Sequence, residues 1–543
     1  MIDWQIIWNR LISICEEQAQ IVIRAAFSAA VRESSDIATG IFDIDGRMLA
    51  QGVSGTPGHV NSMANAVAHF FPHFPVDSMK PGDAFVTNDP WQGSGHLHDI
   101  TVVTPAFHKD RVVGLFAATI HLADVGGRGF GPDGREVFEE GIYIPHMQLV
   151  RQGKLNEDLM QIIRANTREP LQVEGDILAV LAAGEDGARR LALTLEEFDQ
   201  PDLREIADYI IETSHAATVD AIGKVPAGRY DSRVMVDGYD APVEIVLAVT
   251  VGEGQIVVDY EGTSAQSSYG INVVLAYAAA YTCYGIKCVV APNVPNNHGS
   301  LRAFSVKAPE GSILNPLHPA PVSARQIVGL ALPDAIIGCL DQALPGVTLA
   351  DSGMMWMPSL RGAHDHGGKH RLWEQVCFFS GGMGARGEKD GLDATVFPTG
   401  LKTIPIEALE LIVPVVVWRK ELLADSGGLG AFRGGHGQVL EIGELNGRPM
   451  IVQAMFDRIE NPSRGRRGGT DGAPGRVFLA SGVKLRGKGQ QEIPAGDRLV
   501  LHTPGGGGYG DSSRRSKEAV MRDLEDGLLS DAIARQYYAH AFS

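Results

Sequence analysis

The apolar residues of this chain change period repeatedly, which restricts it to folds that mix helices with antiparallel sheets. Ile7, Leu11, Ile14, Ile21, Val22, Ala25 and Ala29 recur at helical spacing. After "ESSD" the pattern turns strand-like in "IATGIFDIDGRMLAQ", where Asp45-Gly46 is a hairpin turn signal. "RVVGLFAATIHLADVGG" reads as a buried strand ending in a glycine loop. The segment from "NEDLMQIIRANTREP" to about residue 220 is helical again, interrupted at Pro170 and Pro201. Residues 228–265 alternate as an antiparallel β unit, and "NVVLAYAAAYTCYGIKCVV" and "VSARQIVGLALPDAIIGCLDQAL" are helical. Residues 350–400, rich in Gly, Asp and His, are expected to be loop. Strands recur over 403–504, and 512–540 is expected to form one amphipathic helix. The fold class is therefore α+β, a multi-layer mixed fold with several antiparallel sheets and a helical N-terminal region.

With 543 residues and roughly 150 per unit, three or four packed units are expected. The pattern changes place them at 1–222, carrying a candidate metal site; at 223–348, mixed α/β; at 349–511, Gly-rich and β-dominated; and at 512–543, a C-terminal helix. The net charge of −18 without a basic run disfavours nucleic acid and anionic membranes as partners. No apolar stretch reaches the roughly 18 residues of a spanning helix. Asp3 stands where a secretory signal carries Lys or Arg. Five cysteines, Cys15, Cys283, Cys288, Cys339 and Cys377, form no CxxC pair. Together these features predict a cytoplasmic protein with reduced thiols.

Sixty-five glycines generate accidental motifs. Gly505, Gly507 and Gly510 fit GxGxxG, as do Gly382, Gly384 and Gly387. Neither has the following strand and acid of a dinucleotide fold, although the first could hold an anion at a helix N-terminus. GxxxxGK[ST] and GxSxG do not occur, so the sequence offers no nucleotide site of its own.

The chemistry concentrates in "TNDPWQGSGHLHDITVVTPAF", residues 87–107. His96 and Asp99 are close enough in a tight loop to converge on one ion. His121 closes the strand "FAATIH", and Asp36 stands where the first helix gives way to a strand. Two imidazoles and two carboxylates suit Zn, Mn or Fe better than calcium. Spacing alone leaves two readings open, a metal site or solvated loop histidines with a capping Asp, and His98 could replace His96 as a ligand. His364, Asp365, His366 and His370 lie in a Gly-rich region where a mobile surface loop is expected.

Eleven stretches in order span nearly the whole chain: "SSDIATGIFDIDGRMLAQ", "GHVNSM", "PGDAFVTNDPWQGSGHLHDITVVTPAF", "HLADVGG", "EEGIYIP", "NTREPLQVEGD", "PNNHGSLRAF", "PEGSILNP", "PAPVSAR", "DSGGLGAFRGGHGQ" and "TPGGGGYGD". In these the chain resembles the hydantoinase B/oxoprolinase family, which includes the B subunits of ATP-dependent N-methylhydantoinase and lactamases. More distantly it resembles a subunit of acetone carboxylase. The resemblance implies a divalent metal, Zn, Mn or Fe, held by Asp36, His96, Asp99 and His121. The family usually carries Pro where this chain has His98. That imidazole could bind the metal, act as an acid/base or point outward, and outward is expected for a loop tip. His59 of "GHVNSM" and Glu140 of "EEGIYIP" are candidates for orienting ligands or moving protons, against purely structural roles.

The resemblance further implies a hydrolase of cyclic amide C–N bonds, acting on hydantoin, 5-oxoproline or a lactam. A hydantoinase A-type ATPase subunit with an actin/hexokinase-like fold would bind ATP and Mg and phosphorylate the substrate carbonyl oxygen. This chain would then deliver metal-activated water, within an (αβ)2 hetero-oligomer, and be nearly inactive alone. The Gly-rich loops 425–438 and 503–511 are expected either to meet the partner or to be turns between strands. The rival functions are a ketone carboxylase subunit of acetone or acetophenone type, a non-catalytic scaffold for the ATPase, and an ATP-independent metallohydrolase. The substrate and the metal stay open at this level.

Overall fold

In the computed structural model, which describes residues 2–53, 55–366 and 369–542, the candidate site is carried on a seven-stranded antiparallel sheet. Its strands are β1 (Ile37–Phe42), β2 (Met48–Gln51), β3 (Ala84–Thr87), β4 (Asp99–His108), β5 (Arg111–His121), β6 (Met147–Arg151) and β7 (Lys154–Leu155), in the order β2-β1-β5-β4-β3-β6-β7. Both faces of its centre are buried: β1 is buried throughout, and β4 and β5 nearly so. The N-terminal helix Ile2–Ala25 and the helices Pro170–Glu197 and Arg204–Ile222 pack on one side through Ile7, Leu11, Leu191 and Ile210. The helix Pro57–Ala66 covers the other side with Val60 and Met63. Pro170 occupies the first turn of its helix, where a missing N–H costs nothing.

A second sheet, β8 (Gly228–Val236), β9 (Val243–Gly252), β10 (Gln255–Asp259) and β11 (Phe304–Lys307), is antiparallel except for the β10–β11 pair. The helix Leu275–Val290 connects β10 to β11 and packs against Pro57–Ala66, and the helix Ala331–Leu340 follows β11. Further antiparallel strands occupy residues 355–502. The fold is α+β.

Two expectations need correction. Residues 350–400 are not all loop, because strands Ser359–His366 and Lys369–Val376 pair as a hairpin, and the first also pairs with Met450–Met455. Leu360, Trp373 and Gln375 are buried on one face of that hairpin while Leu372 is exposed on the other, an alternation obscured in the sequence by the Gly/His/Asp-rich tip. The side chains of His364, Asp365, His366 and His370 lie outside the described residues. The segment 512–540 is also not one helix. Helices Lys517–Glu525 and Asp531–Tyr537 are separated by Gly527, at φ +69°, and each is restarted by a serine cap, Ser516 and Ser530.

The Gly-rich loops 425–438 and 503–511 mostly form an interior layer. Gly428 N–H donates to the Gly506 carbonyl at 2.8 Å, Gly506 N–H to Gly435 at 2.9 Å, and Gly508 N–H to Thr470 at 2.9 Å. Residues 503–509 are buried, so they offer neither a free partner surface nor an anion pocket at a helix start.

Beneath this layer lies a buried ionic network. Asp351 accepts from Arg464 Nε and from Arg466 Nη2, both at 2.6 Å, and Asp334 accepts from Arg458 at 2.9 Å and from the Ser352 N–H at 2.9 Å. Burial alone would raise the Asp351 carboxyl, but Arg466, Arg464 and Arg458 outweigh it and hold the group below its ordinary value. Asp351→Ala leaves the largely buried Arg466 and the partly exposed Arg464 without their carboxylate, while Arg458 keeps Asp334. It is expected to cost about 3–5 kcal/mol, read as a fall in the urea midpoint; an unchanged midpoint would show that the network does not support the fold.

Candidate metal centre

Strand register explains why residues far apart in sequence meet. In the β4–β5 ladder Asp99 pairs with His121, and in the β1–β5 ladder Ile37 pairs with Ile120. Asp36, which precedes β1, accepts the His121 N–H on its carbonyl at 3.3 Å. One end of three neighbouring strands therefore presents Asp36, Asp99 and His121. The loop before β4 adds His96 and His98, with Asp99 N–H bonded to the His96 carbonyl at 3.3 Å and Leu122 N–H to the His98 carbonyl at 2.7 Å. Asn88 staples this loop, donating to the Leu97 and Ile142 carbonyls and accepting from Ile144 N–H. Asp89 caps the Trp91 and Gln92 N–H groups and is a turn former, not a ligand.

The polar atoms converge on Asp99. Its Oδ1 lies 2.8 Å from His96 Nε2 and 3.1 Å from His121 Nδ1, and its Oδ2 lies 2.8 Å from His59 Nε2 and bonds to Arg325 Nη2. His59 arrives from the first turn of Pro57–Ala66, where Thr56 Oγ1 caps its N–H at 3.2 Å. Its Nδ1 is 3.3 Å from Asp36 Oδ1, so Asp36 adjoins the cluster through His59. His96, Asp99 and His121 offer ligand atoms all within 4.8 Å of one another, and all three residues are buried.

The pattern of unpaired atoms fits a cation. Among the described residues, His96 Nε2, His121 Nε2, both nitrogens of His98, His59 Nδ1 and Asp36 Oδ1 are buried without a hydrogen-bond partner. The 2.8 Å approach of His96 Nε2 to Asp99 Oδ1 is thus a contact without hydrogen-bond alignment. Two donors about 2.1 Å from one ion stand roughly 3–3.5 Å apart, which is close to this spacing. The ring N–H of His96 belongs on Nδ1, 2.7 Å from the Ser323 carbonyl, which frees Nε2 as a lone pair. Burial and Arg325 push the His96 imidazole down to about 3, and burial with His121 and His96 pushes His98 well below its usual range. Both are neutral and ligand-ready. For Asp99, burial alone would raise the carboxyl, but His59, His96 and Arg325 outweigh it and keep the group well below the usual carboxylate range.

A model of the hydantoinase B/oxoprolinase family matches residues 1–512. The chain belongs to this family. An uncharacterized protein of Methanocaldococcus jannaschii is 30% identical over 536 residues, covering 97% of this chain and 93% of the relative. Caprolactamase subunit beta of Pseudomonas jessenii is 28% identical over 566 residues, covering 95% and 94% of the two chains. The crystal structure of ATP-dependent caprolactamase from that organism superposes with TM-score 0.91 at 27% identity, covering 99% of this chain and 96% of that one. Nucleotide-free acetone carboxylase, at 18% identity and TM-score 0.86, covering 99% and 79%, shares the fold.

Within this hydantoinase B fold His98 does not point outward. It is 1% exposed, and its ring lies nearly parallel to that of His121, at 12°, with the centres 5.4 Å apart. Burial of the loop before β4 under Phe130, which no local pattern signals, turns it inward. Sequence reading also missed Arg325, although it lies in the quoted "PAPVSAR". Arg325 is buried, donates from Nε to the Ser94 carbonyl at 2.7 Å, and lies 4.0 Å from the Tyr277 ring centre. A Cβ on Gly95, at φ +99°, would stand 2.6 Å from Arg325 Cδ, so the loop needs glycine there.

Glu140 sits one layer out. Its Oε1 accepts the Val322 and Ser323 N–H groups, both at 2.8 Å, and so fixes the segment that carries the Ser323 carbonyl and Arg325. Burial pushes its carboxyl up to about 8, against an ordinary 4.5. The folded chain therefore holds a proton that the unfolded chain has lost. This contribution to stability is complete below about 4.5 and drains as pH rises through about 8. Glu140→Gln is expected to flatten the decline of urea-unfolding stability between pH 5 and 8, and an unaltered slope would remove Glu140 as its source.

Proposed function

We propose that this chain is the metal-binding subunit of an ATP-dependent cyclic-amide hydrolase that opens a hydantoin, 5-oxoproline or lactam ring. The observation that carries this reading is the buried His96–Asp99–His121 group, with ligand atoms within 4.8 Å and imidazole nitrogens lacking any partner among the described residues. The printed names of the relatives, a caprolactamase subunit beta and an ATP-dependent caprolactamase, support the reaction class.

An unstrained amide carbonyl is a poor electrophile, so both the carbonyl and the attacking water need activation. Zn, Mn or Fe held by His96, Asp99 and His121, with Asp36 alongside, would supply a Lewis acid that lowers the pKa of water. The protein's own groups prepare that site. Ser323 fixes the His96 tautomer, and Arg325 together with His59 occupies Oδ2 of Asp99, turning Oδ1 toward His96 and His121. Phe130 packs against the three imidazoles in steep, T-shaped contacts, its ring centre 5.0–5.7 Å from theirs. The sequence has no GxxxxGK[ST] motif and its GxGxxG matches lack a dinucleotide fold, so carbonyl activation by ATP falls to a hydantoinase A-type partner subunit, in a cytoplasmic hetero-oligomer. Glu140 acts by positioning the 322–325 segment.

The test is reconstitution with the partner ATPase, using a hydantoin, 5-oxoproline and lactam panel with and without ATP and bicarbonate. Ring opening is expected to need both subunits and ATP, but not bicarbonate. His96→Ala and His121→Ala are each expected to lower kcat/KM by roughly 10³-fold, as loss of about 4 kcal/mol of metal stabilisation requires, and to lower the metal content. Undiminished turnover in both variants would return the chain to a scaffold role, while bicarbonate-dependent consumption of a ketone would make it a carboxylase subunit.

A further inference from the structure

His98 is the one imidazole at the centre that the family pattern does not supply. Its ring is fully enclosed, yet neither of its nitrogens has a hydrogen-bond partner among the described residues. Simple packing does not account for this, since an apolar side chain would fill the space without leaving two polar atoms unpaired.

The arrangement of the rings gives a reason. The centres of His96 and His121 are 5.2 Å apart, and that of His98 is 5.4 Å from each, so the three form a nearly equilateral triangle. Phe130 closes one side of it, with its ring centre 5.0–5.7 Å from all three. An imidazole nitrogen about 2.1 Å from an ion puts its ring centre roughly 3.2 Å away, and three such rings at near-tetrahedral angles stand roughly 5.2–5.5 Å apart. The observed triangle has those dimensions.

We propose that His98 is a metal ligand, completing a three-imidazole face with His96 and His121 while Asp99 supplies the carboxylate. This rests on the metal reading given under Proposed function. The tight 4.8 Å group contains His96, Asp99 and His121 but not His98. A half-turn of the His98 ring about χ2 exchanges its nitrogen and carbon edges while leaving its centre and plane in place, and no hydrogen bond opposes that turn. A donor set of three nitrogens and one oxygen shifts preference toward zinc and the later transition ions and away from manganese and magnesium.

The test uses the full-length apoprotein loaded with Co(II) and then, separately, with Zn(II). Proton NMR of the Co(II) form is expected to show three exchangeable, hyperfine-shifted imidazole N–H resonances. His98→Gln is expected to remove one of them, shift the visible Co(II) bands, and weaken Zn(II) binding in chelator competition by at least tenfold. Two resonances in the wild type overturn the proposal even if His98→Gln does not fold. Unchanged Co(II) bands in a folded His98→Gln overturn it as well, and leave the centre itself standing provided that His96→Ala abolishes uptake. Failure of the wild type to bind either ion, or uptake that survives both His96→Ala and His121→Ala, overturns the metal reading and this proposal together.

Discussion

A carboxylate held almost out of reach of water needs compensation from every direction, and Asp99 receives it. Its relative exposure is 1%, and Arg325, His59, His96 and His121 each approach one of its oxygens. Removing an unpaired carboxylate from water would cost many kcal/mol, so the surrounding structure has to deliver those groups together. The strand ladder brings His121, the loop before β4 brings His96, a capped helix brings His59, and the segment after the second sheet brings Arg325. Division of labour between the two oxygens follows: Oδ2 is held by Arg325 and His59, and Oδ1 faces His96 and His121.

The supports extend outward in layers. Glu140 holds the Val322 and Ser323 amides, the Ser323 carbonyl fixes His96, and Arg325 stacks on Tyr277 of the helix Leu275–Val290. That helix packs on Pro57–Ala66, which carries His59. Groups from the first sheet, from the helix Pro57–Ala66 and from the 322–325 segment thus meet at one point, and strain at any of these contacts reaches Asp99 through no more than two intermediaries. Such shells explain how a site can be rigid before any ligand arrives.

Much of this was legible in one dimension. The switch from helical to alternating spacing near Asp36 marked the entry to β1, Asp45-Gly46 marked the β1–β2 turn, and His96 and Asp99, three positions apart, marked the loop of candidate ligands. These features are local, since each depends on residues a few positions apart. Reading failed where burial depends on a distant partner. The hairpin of Ser359–His366 and Lys369–Val376 is stabilised by strand Met450–Met455, some 90 residues on. The Gly-rich loops are interior because they bond to one another's backbones.

What the sequence by itself determined is the family, the α+β class, the absence of a GxxxxGK[ST] motif and the residue types from which a metal site could be built. The tertiary structure alone decided which of those residues face one another. Arg325 reaches Asp99 across 226 positions, and His98 turns inward because Phe130 and the neighbouring rings enclose it. The physical reason is that periodicity reports only which side of an element is buried. Which charge meets which is fixed by strand register and by packing between segments far apart in the chain.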